Sequence, residues 1–168
     1  MKYDKSLFLL FFSLLFPSLA LAASVSGTVI YEGEVPKLRE IKMDADPICL
    51  TKHDGAVNPK TINLGPNKEM EFVFLHIVEG LPNKNYPTPS EPVILDQKGC
   101  MYDPPVVGVM VGQPVKILNP DGTLHNVHAL CKINPEFNLA MPKFRKEVTK
   151  IFEKEEFMFP MKCDVHPW

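Results

Sequence analysis

Phe157-Met158-Phe159-Pro160-Met161-Lys162-Cys163-Asp164-Val165-His166-Pro167-Trp168 is the stretch on which the reading of this chain turns. Large apolar residues alternate at Phe157, Phe159 and Met161. In a strand they share one face with Cys163, which aims the thiol at the core. His166 follows three positions later, and a thiolate and an imidazole at that spacing close on one ion if the backbone turns between them. Cysteine with histidine selects copper, zinc or iron over harder cations. The plainer alternative is a structural thiol beside a surface histidine, and further ligands elsewhere in the chain decide between the two.

Upstream, Glu147–Glu153, Leu124–Leu130, Pro114–Asn119, Val106–Val111 and Val93–Asp96 are short, β-branched and apolar. Turns at Gly112-Gln113 and Pro120-Asp121-Gly122 separate them, so each reads as a strand. In the first half, Val25–Tyr31 and Thr61–Leu64 read as strands. Glu71–Val78 is a nearly continuous apolar run suited to the middle of a sheet, with His76 as a satisfied core or edge residue. Asp46-Pro47 starts a short helix, with aspartate as cap and proline in the first turn. Carried towards Gly55, that helix puts Cys49 and His53 on one face. Prolines at 82, 87, 89 and 92 keep Leu81–Pro92 out of regular pairing. Short strands at this spacing predict an all-β sandwich or barrel, extended by the first half and one short helix.

The chain has 168 residues, 17 of them proline, and a formal charge of −2. Lysines and glutamates are mixed along it, which argues against a nucleic-acid patch or an anionic-membrane surface. Lys2 and Lys5, the apolar run Leu7–Phe16 and the small residues Ala20-Leu21-Ala22-Ala23 have the layout of a secretory signal peptide over residues 1–22. The apolar run is short for a membrane span. Residues 23–168 then form one exported domain, with 23–92 as an extension and 93–168 as its core.

All four cysteines, Cys49, Cys100, Cys131 and Cys163, lie in the exported part, where disulfides can form. If Cys163 holds metal, three remain. A Cys49–Cys100 bridge is the favoured pairing, closing a loop of about fifty residues. The alternative is a second metal site from Cys49, His53 and Cys100. Cys131 has no evident partner. A site at Cys163 and His166 needs at least one more ligand, and the best candidate is His125, just past the turn at Pro120-Asp121-Gly122. His128 falls on the opposite strand face and reads as a hydrogen-bonded neighbour of the site.

The second half resembles the cupredoxin family, and within it the plastocyanin- and amicyanin-like blue copper proteins. Tyr102-Asp103-Pro104 with Val111-Gly112-Gln113-Pro114-Val115-Lys116-Ile117-Leu118-Asn119 is similar to the family's aromatic-x-Pro and V-x-x-G-x-x-V-x-x-x-N strands. His125-Asn126-Val127-His128 is similar to the first copper histidine and the residues after it, and Cys163-x-x-His166-Pro167-Trp168 to the C-x-x-H-P-aromatic loop. The match runs from about Asp96 to Trp168.

The resemblance implies a Greek-key β-sandwich with one type 1 copper held by His125, Cys163 and His166. It implies that Asn126 ties the two ligand loops together. Pro167 and Trp168 would help form an apolar patch where the edge of His166 meets a redox partner. His₂Cys with a weak axial ligand suits neither copper oxidation state fully, so electron transfer needs little rearrangement. The family's axial methionine and closing strand would follow Trp168, so the protein is expected to continue beyond it. Met141 and Met161 are the substitutes the chain offers, Met161 reading as core. The expected function is a periplasmic, monomeric one-electron carrier, not an enzyme. Its partner would be a c-type cytochrome, an oxidase or a dehydrogenase. Copper storage or delivery, a copper oxidase or reductase domain, and a metal-free structural module are the alternatives.

Overall fold

A computed structural model describes residues 24–82 and 84–168, so the expected signal peptide lies outside the described residues. Six short strands carry the fold: β1 (Val93–Asp96), β2 (Pro114–Leu118), β3 (His125–Ala129), β4 (Phe137–Met141), β5 (Glu147–Ile151) and β6 (Met161–Lys162). They form two three-stranded sheets, in the orders β1-β2-β5 and β4-β3-β6. β1 runs parallel to β2, and the other pairs are antiparallel. Among the described residues, helix is confined to α1 (Pro47–Leu50) and a short 3-10 turn (Lys98–Cys100). This is a β fold with little helix.

The core follows from the strand period. On β2, Val115 and Ile117 point inwards; on β3, Val127 and Ala129 do. They pack with Leu95, Met141, Cys131 and Phe152 into one cluster, to which Phe159 and Met161 are peripheral. Burying such side chains contributes on the order of 1.5–3 kcal/mol each. All of these residues belong to 93–168.

The first half departs from expectation. Val25–Tyr31 and Thr61–Leu64 form only isolated bridges, Ile30 with Glu69 and Leu64 with Met70. The run Glu71–Val78 is not a central strand, because no sheet lies beside it. Leu75 and Val78 are 75% and 79% exposed, and His76 is exposed between the rings of Phe74 and Phe157. Continuous apolar character is a signal for burial only when a partner surface exists, and here most of the segment has none. Val106–Val111 and Phe157–Phe159 are also outside the strands. Phe157 is 64% exposed, so the alternation expected to end at Cys163 applies only from Phe159 onwards.

α1 ends at Leu50 and is therefore shorter than the helix expected towards Gly55. Asp46 caps it, accepting a 2.8 Å hydrogen bond from the Ile48 backbone N–H. A disulfide joins Cys49 to Cys100 across 51 positions and fastens the first half to the second. It lies in a small cluster with Met43, against which Ile41, Val57, Met101 and Trp168 pack. Among the described residues, no helix is long and apolar enough to cross a membrane.

Candidate metal centre

The site forms where β3 begins and β6 ends. β3 is the central strand of its sheet, and His125 is its first residue, paired across the ladder with Met141. The turn before it is tied down by buried Asn119, whose Nδ2 donates to the carbonyls of Thr123 and Met141 at 3.2 and 2.7 Å. β6 pairs with β3 through His128–Lys162 and Ala129–Met161, so Cys163 leaves the sheet beside the start of β3. The chain then turns and returns His166 to the same point.

Asn126 holds that turn. Its Oδ1 accepts from the backbone N–H of Asp164 at 2.7 Å and of Val165 at 3.2 Å, with the Cys163 thiol at 3.3 Å. Tyr102 donates from its hydroxyl towards the Asn126 and Lys162 carbonyls.

These constraints bring His125, Cys163 and His166 together, with one ligand atom from each within 4.8 Å of the others. The two Nδ1 atoms are 2.9 Å apart, and Cys163 Sγ is 3.8 Å from His166 Nδ1. Both imidazoles are buried, at 2% and 5% exposure. Each outer nitrogen meets a carboxylate: His125 Nε2 lies 3.1 Å from Asp121 Oδ2, and His166 Nε2 lies 3.0 Å from Asp46 Oδ2.

Both acids are ionised at neutral pH. Burial pushes the Asp46 carboxyl up, but hydrogen bonds from Thr123, His166 and the backbone at Ile48 and Cys49 outweigh it and hold the pKa at about 2. Asp121 is also lowered; its burial is outweighed by the N–H groups of Cys100 and Gly99 and by His125. An ionised carboxylate only accepts, so each imidazole presents Nε2–H to its aspartate. Burial lowers the pKa of His125 despite its Asp121 partner, which favours the neutral ring. The two Nδ1 atoms face each other at 2.9 Å, beside the Cys163 sulfur. Two imidazole nitrogens and a cysteine sulfur gathered this closely are a donor set that fits a soft or borderline metal ion.

The other candidates fall elsewhere. His128 is on the opposite face of β3, bonded to Asp164 at 2.8 Å and to Glu136 at 3.1 Å. Those two carboxylates, Glu136 first, raise its pKa. His53 donates from Nε2 to the Gly99 carbonyl at 2.8 Å. Gly99 has φ +67°, and an added Cβ would come within 3.2 Å of that imidazole, so glycine is required there. With Cys49 and Cys100 in a disulfide, neither thiolate of the alternative Cys49–His53–Cys100 site is available. Cys131 is a buried free thiol whose pKa burial pushes up. Met141 is buried in the core, its Sδ accepting from Gln97 Nε2 at 3.2 Å.

The exposed histidine edge implied by the resemblance is not present. Asp46 and the disulfide cover it, with Cys49 Sγ 3.5 Å from His166 Nε2. Trp168 packs its ring 4.9 Å from that of His166 and donates from Nε1 to the Cys100 carbonyl at 2.9 Å. Pro167 alone of this group is exposed. A cavity of about 530 Å³ is lined by all three ligands, with Met70, Met101 and Met161 also in its walls.

Asp46 and Asp121 are the site residues that sequence reasoning missed. Each had a sufficient local explanation, as a helix cap and as a turn residue. The one available signal was the i, i+4 spacing of Asp121 and His125. Comparison with protein-family models, curated proteins and solved structures finds no match for this chain.

Proposed function

We propose that this is a type 1 copper protein that carries single electrons between redox partners outside the cytoplasm. The observation that carries the reading is the convergence of two inward-facing Nδ1 atoms and one thiol, from His125, His166 and Cys163. Copper bound there would supply the one-electron cycle between its two oxidation states. The chain's part is to hold the ligands rigid: Asn126 fixes the Cys163 turn, Asn119 fixes the turn before His125, and a carboxylate faces each outer nitrogen. The two sheets and the order of the ligand-bearing segments support a Greek-key sandwich of the cupredoxin kind. Residues 23–168 would act as one exported, monomeric domain with no enzymatic role.

The test is a copper(II) titration of the full chain, followed by visible absorption and electron paramagnetic resonance. One equivalent should give an intense sulfur-to-copper charge-transfer band with reversible one-electron reduction, both lost in Cys163→Ser. Copper binding without a Cys163-dependent band would overturn the electron-transfer reading.

Copper storage or delivery is a second reading, favoured by the methionine-bearing cavity that opens onto the three ligands. It predicts a colourless adduct that a copper(I) chelator strips within minutes. The electron carrier should retain its metal under the same challenge.

A further inference from the structure

We propose that Asp46 and Asp121 act as a matched pair of positioning residues, each holding the outer nitrogen of one ligand imidazole, with the Cys49–Cys100 disulfide joining them into one frame. This rests on the metal-site reading above but on neither copper nor electron transfer. It assigns the first half of the chain a part in the site, because Asp46 is contributed from outside the sheets.

Each carboxylate is itself held on several sides. Asp46 Oδ1 caps α1 through Ile48, leaving Oδ2 to accept from Thr123 Oγ1 at 2.8 Å and from His166 Nε2 at 3.0 Å. Asp121 Oδ2 accepts from the Cys100 N–H at 2.8 Å and from His125 Nε2 at 3.1 Å, and Oδ1 accepts from the Gly99 N–H at 3.2 Å. Lys52 Nζ, just after α1, lies 3.6 Å from Asp121 Oδ1.

The disulfide therefore links the helix that Asp46 caps to the backbone N–H that grips Asp121. Thr123, two residues before His125, closes the same circuit from the other side. A histidine whose outer N–H is fixed on a carboxylate keeps its tautomer and ring angle, so its inner nitrogen stays a free donor. With both imidazoles held this way, the inner nitrogens are presented together before any ion arrives.

Asp46→Asn separates this role from helix capping. Asparagine caps a helix as well as aspartate does. With its Oδ1 kept on Ile48, its amide –NH₂ would face His166 Nε2 and oppose the tautomer that frees Nδ1. The experiment is cobalt(II) binding to the full chain, read by thiolate-to-cobalt absorption, with the His166 Nε2–H followed by paramagnetic NMR. Circular dichroism of the metal-free proteins checks folding.

Wild type should bind one cobalt with a slowly exchanging Nε2–H signal. Asp46→Asn should fold normally, lose that signal and bind about 10–100-fold more weakly, the loss typical of an outer-shell partner. Cys49→Ser/Cys100→Ser should weaken binding to a similar degree, and adding Asp46→Asn to it should change little more. Asp46→Asn binding cobalt within twofold of wild type with the signal retained overturns the inference and leaves the metal site standing. Wild type binding no cobalt through Cys163 overturns both.

Discussion

The two halves of this chain solve the problem of order differently. From Val93 onwards, six strands bury a shared cluster of Leu95, Val115, Ile117, Val127, Ala129, Cys131, Met141 and Phe152. Among the described residues before Val93 there is one four-residue helix and a few isolated bridges, and much of the apolar side-chain surface faces outwards. The second half is held by burial. The first is held by attachment, through the disulfide, the hydrogen bonds of Asp46 and the small cluster around Met43. A segment with no large core of its own can still take up one defined position when a covalent link removes most of its alternatives.

Several changes would break or sharpen that contrast, and the disulfide comes first. Replacing Cys49 and Cys100 with serine should lower stability by about 4 kcal/mol in the chain-entropy picture of a loop this long. Limited proteolysis should then cut within 24–92 while the fragment carrying β1 to β6 persists. Equal protease sensitivity in both halves would show that the bridge does not divide them.

Core truncation should cost slightly less and act on the other half. Ile117→Ala removes a fully buried side chain from β2 and should destabilise by about 3 kcal/mol in denaturant titration. Leaving stability unchanged would mean the sheets are not the main source of order.

Acid should loosen the join between the halves. The folded pKa of Asp46 lies near 2, below its ordinary 3.8, so its contribution is complete above the ordinary value and is lost as pH falls towards 2. His125, whose folded pKa is lowered, acts in the same direction from higher pH: the unfolded chain takes up its proton first, so stability falls as pH drops through 6.5. Metal-free protein should therefore lose thermal stability in two stages on acidification. Asp46→Asn should flatten the lower stage.

The smallest effect is expected at Leu75→Ala. Its side chain is 75% exposed, so the change should stay within about 0.5 kcal/mol in the same denaturant titration. A loss comparable to that at Ile117 would show that the run at 71–78 is covered in the folded protein.

The difference between the halves also explains what could be read from residues. Short β-branched, apolar runs set off by turns at Pro114–Asn119 and Glu147–Glu153 identified β2 and β5, and in both the burial alternates along the strand. Apolar content at Glu71–Val78 misled for the complementary reason: composition reports what a segment could bury, not whether a partner is there. His125, Cys163 and His166 were legible because a soft-metal site needs those residue types, and turns placed them at strand ends. Asp46 and Asp121 were not, since one carboxylate can cap a helix or close a turn and also receive an imidazole 120 or four positions away.

The sequence by itself determined that the second half would be β-structured and that a thiol and two imidazoles were available to a soft ion. Strand period and ligand chemistry are local properties, written in residue type and spacing. Only the tertiary structure decided that the first half lies over His166 instead of adding strands. It also decided that the histidine edge is sealed by Asp46 and the Cys49–Cys100 bridge. Those outcomes depend on which distant surfaces meet, and that is set by the balance of the whole chain's packing.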